Sequence, residues 1–292
     1  MKLSDLTKNI EEVEVFRDSE FDCVDFLNSS LNKKILTFIE NEEYILSLSK
    51  NISCIICNKE MRDRIPKDYG IIVSKNPRST FYTIHNFISE IPRLNKKTQI
   101  GENCTISEDA RIASNNVNIG KNVIIEDFVV IRENVYIGDN TIIRSGAKIG
   151  GEGFQFNKDE KRFFIKHIGG VIIGNNVEIQ YNTCIDKAVF QYDNTIIGDN
   201  TKIDNLVHVG HGVKIGKNCL ITAGVTIAGS TVIENDCWIG VGANISNSIK
   251  IKNQARVNIG AVVTKNVKEK NAVTGNFAID HSKFIEFIKS IR

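Results

Sequence analysis

Three ionisable side chains lie within one short segment, Asp204, His208 and His211. An imidazole titrates near neutral pH, so either histidine has the chemistry of a general base that takes a proton from a nucleophile. The alternative is that each histidine is a structural residue of a turn. A zinc site built from three histidines would have to recruit His167 from further upstream, and the spacing does not suit such a site. We therefore expect no bound metal.

A second chemical candidate is the Cys-x-x-Cys pair formed by Cys54 and Cys57. The pair lies inside the apolar run Ile52–Cys57 and no second pair accompanies it, so we interpret both cysteines as buried residues of a strand. A metal or redox role is the alternative. The seven cysteines are scattered and odd in number, which indicates a reducing compartment, the cytoplasm.

Bulk properties exclude several classes of protein. Thirty-seven basic residues nearly balance 35 acidic ones among 292, which does not favour a nucleic-acid partner or an anionic membrane surface. The first 22 residues lack the apolar stretch of a signal peptide. No segment approaches the roughly 20 apolar residues of a membrane span.

The strongest pattern in the chain is a six-residue period that begins near residue 98. Three such repeats make one triangular coil of about 18 residues, in which each aliphatic side chain points inward and stacks on its equivalents in neighbouring coils. Glycine, asparagine and aspartate crowd the intervening positions and tolerate the tight backbone of the corners. Isoleucine or valine stands at 100, 106, 112, 119, 125, 131, 137, 143, 149, 173, 179, 185, 197, 203, 209, 215, 221, 227, 233, 239, 245, 251, 257 and 263.

The period is interrupted at residues 150–172 and 187–196. The first interruption opens with Gly150-Gly151-Glu152-Gly153-Phe154 and continues as a charged, aromatic stretch. A solenoid accepts insertions as loops on one face, often the binding face. Neutral surface loops are the alternative.

Residues 1–97 have a different texture, typical of a small α/β domain. Short β-branched or aromatic runs predict strands, and apolar residues at three- and four-residue spacing predict helices. The predicted strands are Asp22–Asn28, Ser53–Cys57 and Gly70–Ser74, and the predicted helices are Glu43–Lys50 and Thr80–Ile91. Residues 98–275 form the repeat domain, and 276–292 are predicted to be a short C-terminal helix.

The stretch Ile185-Asp186, Ile196–Asn200 and Ile203–His211 resembles the bacterial UDP-3-O-acylglucosamine N-acyltransferases of lipid A biosynthesis. So do Ile227-Ala228-Gly229-Ser230 after it and the Gly-Gly-Glu-Gly-Phe loop before it. The resemblance implies a left-handed parallel β-helix. It also implies a homotrimer with active sites between neighbouring subunits. The implied reaction is acyl transfer from a thioester to the amino group of a nucleotide-linked sugar.

The resemblance also implies roles for individual residues. His211 matches the family's general base, Asp204 matches a residue that orients or polarises the site, and Gly229 matches a glycine whose N–H binds the oxyanion. Because Gly229 follows His211 by one coil, we expect the two to stack. Asn205 and His208 are expected to contact substrate.

In the N-terminal domain the family carries a nucleotide-binding motif, Phe-x-x-Asn-x-x-Tyr, and this chain has Phe38, Asn41 and Tyr44 at that spacing. The resemblance implies that the two aromatic rings sandwich a pyrimidine, uracil or thymine, while Asn41 hydrogen-bonds its edge. The alternative is that both aromatic side chains belong to the core of the small domain.

The final repeats depart from that family. Ser248 stands where the family has a second histidine, and the C-terminal tail is expected to be shorter. The segments Ile259–Val267 and Val273–Ala278 instead resemble the acyl-CoA-dependent hexapeptide acyltransferases. That resemblance implies that Gly260 and Ala261 line a pantetheine slot and that Lys265 meets the coenzyme phosphates.

We therefore expect a cytoplasmic, homotrimeric N-acyltransferase without a tightly bound cofactor. Its acceptor would be a UDP- or dTDP-linked amino sugar for surface polysaccharide or lipopolysaccharide. Its donor would be acyl-CoA, with acyl carrier protein, as in the lipid A enzyme, as the alternative. A γ-type carbonic anhydrase, a sugar nucleotidyltransferase and a non-catalytic β-helix scaffold are less well supported by the sequence.

Overall fold

The structure is a computed structural model that describes residues 1–6, 10, 13–92, 94–158, 162–275 and 278–291. It contains a small α/β domain, a long parallel β-helix and a C-terminal helix. The β-helix is left-handed, as predicted, so the expected fold class is confirmed. Residues 276 and 277 of the segment expected to resemble the CoA-dependent enzymes lie outside the described residues.

The N-terminal domain is built on a five-stranded sheet in the order β1-β5-β4-β3-β2. Only the edge strand β1 runs antiparallel to its neighbour. Its elements are α1 (Leu3–Leu6), β1 (Glu14–Arg17), β2 (Cys23–Val24), β3 (Ile35–Phe38), a 3₁₀ helix (Glu42–Ser47), β4 (Ile52–Cys57), a second 3₁₀ helix (Arg62–Arg64), β5 (Gly70–Val73) and α2 (Pro77–Ser89).

Sequence patterns located three of the five strands of this sheet and missed the edge strand β1 and the buried strand β3. The predicted strand Asp22–Asn28 shrinks to Cys23–Val24, and the predicted helix Glu43–Lys50 is a 3₁₀ helix instead of an α-helix. β4 and β5 lie where two apolar runs predicted them, because strands covered on both faces are continuously apolar. Cys54 and Cys57 are buried in β4, as expected of core residues.

The β-helix consists of short parallel strands that form three faces of a triangular prism within the described residues. The first face contains β7, β10, β13, β16, β19, β22, β25, β28 and β30; the second contains β8, β11, β14, β17, β20, β23, β26 and β29; and the third contains β6, β9, β12, β15, β18, β21, β24 and β27. In chain order the strands are β6 (Gln99–Ile100), β7 (Thr105–Ile106), β8 (Arg111–Ile112), β9 (Val117–Ile119), β10 (Ile124–Ile125), β11 (Val130–Ile131), β12 (Val135–Ile137), β13 (Ile142–Ile143), β14 (Lys148–Gly151), β15 (Gly170–Ile173), β16 (Glu178–Ile179), β17 (Cys184–Asp186), β18 (Asn194–Ile197), β19 (Lys202–Ile203), β20 (His208–Val209), β21 (Lys214–Ile215), β22 (Leu220–Ile221), β23 (Thr226–Ile227), β24 (Val232–Ile233), β25 (Trp238–Ile239), β26 (Asn244–Ile245), β27 (Lys250–Ile251), β28 (Arg256–Val257), β29 (Val262–Val263) and β30 (Ala272–Val273).

The register of these strands follows the six-residue period. Ile125 pairs with Ile143 and Ile203 with Ile221, each 18 residues further along the chain. From Val117 to Val263 the repeated aliphatic side chains are buried and form one continuous core along the axis of the helix. At the N-terminal end the stack opens, and Ile100 is exposed. The period therefore predicted both the coil length and the inward-facing residues.

One column of corners holds asparagine in the left-handed backbone region. Asn200 and Asn218 have φ of 60° and 57°. The side chain of Asn200 donates to Asn218 at 3.2 Å, and Asn218 donates to Asp236 at 3.1 Å. Asparagine tolerates this conformation better than other residues that carry a β-carbon, and the amide ladder satisfies its polar atoms.

Replacing Asn218 with alanine is expected to lower the free energy of unfolding by about 1–2 kcal/mol, because alanine is strained at positive φ and breaks the amide ladder. Replacing it with glycine breaks the same ladder without the strain, so Asn218→Gly should cost less. Urea denaturation followed by circular dichroism measures both variants. Equal losses for alanine and glycine would show that backbone strain contributes nothing at this corner.

The two interruptions of the repeat attach the N-terminal domain. Ile143 pairs with Ile179 at a spacing of 36, so the first insertion adds the length of one coil, and the second adds six residues, since Ile179 pairs with Ile203. Side chains from both insertions complete the core of the small domain, where the rings of Phe81 and Phe190 lie 5.8 Å apart. The two insertions therefore connect the N-terminal domain to the β-helix.

Polar contacts fix the first insertion against α2. His85 Nε2 donates to the carbonyl of Lys166 at 2.7 Å, and the side-chain amide of Asn86 donates to the carbonyl of Phe164 at 2.7 Å. Asn157 donates to the hydroxyl of Ser79 at 3.0 Å, near the N-terminal end of α2. The insertion therefore takes its position from the N-terminal domain.

The C-terminal helix α3 (His281–Ser290) begins at Asp280, whose carboxylate accepts from the N–H of Ser282 at 3.0 Å. Its apolar residues Phe284 and Phe287 are exposed. Within the described ranges, the structure has no helix of the length and apolar character needed to cross a bilayer.

Candidate active site

His211 lies at the corner between β20 and β21, where the chain turns from the second face to the third. Gly210 precedes it, and a β-carbon at Gly210 would lie 2.9 Å from the backbone nitrogen of Gly229. Gly212 follows at φ +68°, and its N–H donates to the hydroxyl of Thr195 at 2.9 Å. The corner is glycine-rich because the next coil packs directly on it, and this packing holds the half-buried imidazole in place.

Gly229 lies against the His211 ring, one coil further along. A β-carbon built on Gly229 would fall 2.5 Å from His211 Nε2 and 2.6 Å from its Cε1. The carbonyl of His211 accepts from the N–H of Ser230 at 2.9 Å, which locks the two corners together. The N–H of Gly229 itself donates no hydrogen bond to any described residue. The imidazole nitrogen and an unused backbone donor therefore lie side by side.

The other ring nitrogen of His211 faces the first insertion. The position of a β-carbon on Gly153 lies 3.0 Å from His211 Nδ1, 3.0 Å from His167 Nε2 and 3.1 Å from Asp186 Oδ2. The rings of His167 and His211 are 5.3 Å apart and nearly perpendicular. Two ionisable groups not predicted as site residues, His167 and Asp186, thus border His211. The sequence signals for them were the Gly-Gly-Glu-Gly loop and the pair Ile185-Asp186, which belongs to the stretch that resembles the lipid A enzymes.

Burial controls the protonation of this cluster. It lowers the pKa of His211, with a further decrease from the nearby charge of His208 that Asp193 partly opposes. Burial, together with the repulsion that a protonated His211 would exert, lowers the pKa of His167 to about 4. Burial also raises the pKa of the Asp186 carboxyl. Both imidazoles are therefore neutral at physiological pH, and a neutral His211 is the form that accepts a proton.

Asp204 does not reach His211 within one chain. It lies at the other end of β20, at the corner between the first and second faces, and its carboxylate accepts from the N–H of Asn205 at 2.7 Å. The side chain of Asn205 accepts from the N–H of Tyr181 at 3.1 Å. His208 is exposed on β20, with its Nε2 3.8 Å from Asp186 Oδ2. Of the predicted polar residues, His208 is thus the one connected to the His211 cluster.

A separate cavity of about 320 Å³ opens in the N-terminal domain. Phe38 and Tyr44 both line it, together with Phe26, Glu40 and Arg78. The Arg78 guanidinium lies 5.6 Å from the centre of the Phe38 ring. Asn41 is exposed at the start of the 3₁₀ helix, where its carbonyl accepts from the N–H of Tyr44 at 3.3 Å. The two aromatic residues of the predicted motif therefore line one concave site, where Tyr44 is exposed and the half-buried Phe38 also packs on the core residue Phe81, with ring centroids 5.0 Å apart.

The predicted donor-binding residues lie on the last coils of the solenoid. Gly260 forms an open corner at φ +65°, Ala261 is buried, and Lys265 is exposed. Within the described residues no cluster of three or more His, Cys, Asp or Glu side chains is arranged to hold a metal ion.

The six-residue repeat and the β-helix are shared with known proteins. The repeat of the bacterial transferase hexapeptide family matches residues 116–151 and 194–229, the two segments that flank the insertions. A solved UDP-N-acetylglucosamine acyltransferase from Bacteroides fragilis superposes with a TM-score of 0.50 at 22% identity, covering 66% of this chain and 74% of that one. This likeness concerns the fold. The chain is thus a hexapeptide-repeat protein with the left-handed β-helix of that fold.

Proteins with similar sequences share a more specific name. A UDP-3-O-acylglucosamine N-acyltransferase of Legionella pneumophila is 54% identical over 59 residues, which cover 20% of this chain and 17% of the relative. An enzyme of the same name from Coxiella burnetii is 28% identical over an alignment of 195 residues that covers 56% of each chain. The matches thus span about half or less of those relatives. The resemblance to the UDP-3-O-acylglucosamine N-acyltransferases is confirmed.

Proposed function

We propose that this protein is an N-acyltransferase that moves an acyl group from a thioester to the amino group of a nucleotide-linked amino sugar. The observation that carries the proposal is the juxtaposition of His211 Nε2 with Gly229, whose unused N–H is beside it. A general base next to a backbone donor is the arrangement that acyl transfer to an amine requires.

The chemistry follows from these two groups. The sugar amine attacks the thioester carbonyl, and the N–H of Gly229 donates to the oxyanion of the tetrahedral intermediate. His211 Nε2 takes the proton that the amine loses as the C–N bond forms. When the C–S bond breaks, the thiolate leaves and regains that proton from the imidazolium. Neither step uses a cofactor other than the thioester itself.

The acceptor is proposed from the cavity in the N-terminal domain. Phe38 and Tyr44 offer aromatic faces to a pyrimidine. Arg78, whose Nε lies 3.6 Å from the Glu40 carboxylate at the same cavity, would exchange that partner for a diphosphate. The Legionella and Coxiella relatives are named for UDP-3-O-acylglucosamine. This supports a 3-O-acylated UDP-glucosamine, and hence lipid A, ahead of a dTDP-linked sugar for surface polysaccharide.

Replacing Tyr44 with alanine should weaken binding of UDP by about 1–3 kcal/mol, or roughly 5- to 150-fold in Kd, because one stacking face is lost. Isothermal titration calorimetry with UDP measures this directly. Leu46→Ala is the matched control, since Leu46 is 95% exposed on the same 3₁₀ helix and does not line the cavity. Equal affinity of the Tyr44 variant and the wild type would rule out nucleotide stacking at this cavity.

A homotrimer is proposed from an apolar corner. Val241 and Ile259 stack on one another at the corner between the first and second faces, and with the neighbouring Val262 they are exposed. Exposed contiguous apolar residues mark interaction sites. Asp204 lies at the same corner, so a neighbouring subunit packed there would bring its own Asp204 into the contact. This would explain why Asp204 is remote from His211 within one chain.

Acyl carrier protein and acyl-CoA are the two candidate acyl donors. Acyl carrier protein is the donor that the resemblance to the lipid A enzymes implies, whereas the open corner at Gly260 and the exposed Lys265 favour the phosphates of acyl-CoA. The free thiols of all seven cysteines fit a reducing cytoplasm, where either donor is present.

Release of free thiol from each donor in the presence of UDP- and dTDP-linked amino sugars tests the proposal. Turnover that requires an amino sugar supports it, and the more efficient donor identifies the thioester. Absence of thiol release with every pair would contradict the proposal and favour a non-catalytic β-helix scaffold.

A further inference from the structure

A buried histidine of the first insertion, His167, has no part in the reaction described above. It is 1% exposed, and its ring stacks on Phe164 with centroids 5.8 Å apart. Its Nδ1 lies 2.9 Å from the carbonyl of Ile165. A carbonyl can only accept, so Nδ1 carries the proton and Nε2 keeps its lone pair. The backbone of the insertion thus fixes the tautomer of His167.

The lone pair of His167 has no hydrogen-bond partner among the described residues, although it is fully buried. A buried acceptor without a donor costs free energy, and such groups are often functional. His211 Nδ1 and Asp186 Oδ2 border the same point beside Gly153 as His167 Nε2, and Lys187 is a further charged neighbour of the His167 ring. Because the two histidine nitrogens each lie 3.0 Å from the same point, they are at most 6.0 Å apart. A rotation of either ring, or a single bridging water, would join them.

We propose that His167 is a positioning residue for His211, and that its Nε2 is the acceptor for the Nδ1–H of the His211 imidazole. The proposal rests on the proposed function, in which His211 Nε2 takes the proton of the amine. An imidazole accepts at Nε2 only when its proton resides on Nδ1, so a fixed acceptor facing Nδ1 selects the active tautomer. The proton on Nδ1 stays on His211 throughout.

Asp186 is the competing acceptor, because its Oδ2 faces the same point. Two observations favour His167. Asp186 Oδ2 is also 3.8 Å from His208 Nε2, so it already has an exposed partner, whereas His167 Nε2 has none among the described residues. The backbone further prevents His167 Nε2 from becoming a donor, while a buried carboxyl can protonate and donate to Nδ1 instead.

Gly153 makes this arrangement possible. A β-carbon there would stand within 3.1 Å of all three polar atoms and would hold the two rings apart. Gly151, two residues earlier in the same insertion, has no such constraint, since its β-carbon would meet only Asp186 Oδ1 at an ordinary 3.7 Å. The two glycines therefore provide a matched pair of alanine variants.

The test is the tautomer of His211, read from the ¹⁵N chemical shifts of labelled histidine by magic-angle-spinning NMR of the intact protein. The chain has five histidines, so His211→Gln assigns the signal. We expect the Nδ1–H tautomer in the wild type, a mixture in His167→Phe, and recovery in His167→Gln, which restores an acceptor. His167→Phe keeps an aromatic ring beside Phe164.

An unchanged His211 tautomer in His167→Phe, or its loss in Asp186→Asn alone, would overturn the proposal. If His167→Phe fails to fold, Gly153→Ala should give the same mixture while Gly151→Ala retains the wild-type signal, and identical signals in both would overturn the proposal instead.

Kinetics supply an independent readout. In His167→Phe, kcat should fall by about 10- to 100-fold with KM within about twofold, a part of the 10²–10⁴ that a positioned base contributes. His167→Gln should recover most of this loss. A protein that releases no thiol with any donor but shows the expected tautomers would refute the proposed function and leave the positioning role intact.

Discussion

Replacing His211 with alanine is expected to lower kcat for thioester consumption by about 10²- to 10⁴-fold, the contribution of a positioned general base. The loss should fall on kcat rather than KM, because the ring takes its proton in the transition state. The fold should survive, since His211 is a half-buried corner residue outside the aliphatic core. Initial rates of thiol release and circular dichroism of the same samples provide the two measurements.

The pKa of His211 also predicts how kcat/KM depends on pH. A base works only when neutral, and burial lowers the pKa of His211, so kcat/KM should stay high as the pH falls to the ordinary imidazole range and decline only below it. His281→Ala is the matched control, because His281 is exposed on α3, away from the site. Equal rates for His211→Ala and His281→Ala would exclude His211 as the base.

Replacing Gly229 with alanine should reduce kcat by about 10²- to 10³-fold, the loss expected when an oxyanion donor is misplaced. The added methyl group would stand 2.5 Å from His211 Nε2, closer than van der Waals contact allows. The ring must therefore move, and the carbonyl of the thioester loses its close approach to the backbone. One methyl group thus disturbs both the base and the oxyanion donor.

Gly224→Ala separates this effect from the general cost of alanine at a corner. Gly224 has φ +66°, and a β-carbon there meets nothing within 4 Å, so its variant should lose roughly 1 kcal/mol of stability but little activity. Thermal denaturation and rates of thiol release compare the two variants. Comparable activity in Gly229→Ala and Gly224→Ala would contradict the assignment of Gly229.

The solenoid was predictable because its order is local and periodic. One aliphatic every six residues determines which side chains point inward, and the 18-residue coil then determines which corners stack. The contact between His211 and Gly229 is a direct consequence of that arithmetic. Few folds allow a long-range contact to be derived from sequence spacing alone.

The insertion could not be predicted in the same way. Residues 150–172 have no period, and their path depends on α2 of the N-terminal domain, to which Asn157 and the carbonyls of Phe164 and Lys166 are hydrogen-bonded. His167 consequently looked like an isolated loop histidine, although it packs against His211. Tertiary contacts, and not local propensity, decide where such a segment lies.

Asp204 lies apart from His211 within one chain. Seven residues separate it from His211, and the sequence suggested one shared site, but this interval crosses β20 and ends at a different corner of the triangle. Two strands of the N-terminal domain were also missed, the buried four-residue strand β3 and the edge strand β1. β1 is an edge strand with alternating exposed and half-buried residues, which leaves little apolar signal.

The most direct test of the central claim is mass spectrometry of the sugar product after incubation with a thioester donor and UDP-3-O-acylglucosamine. We expect wild-type protein to add one acyl group, through an amide at the sugar nitrogen, and His211→Ala to yield no more than about one hundredth of that product in the same time. Formation of the amide at equal rates by both proteins would contradict a catalytic site at His211.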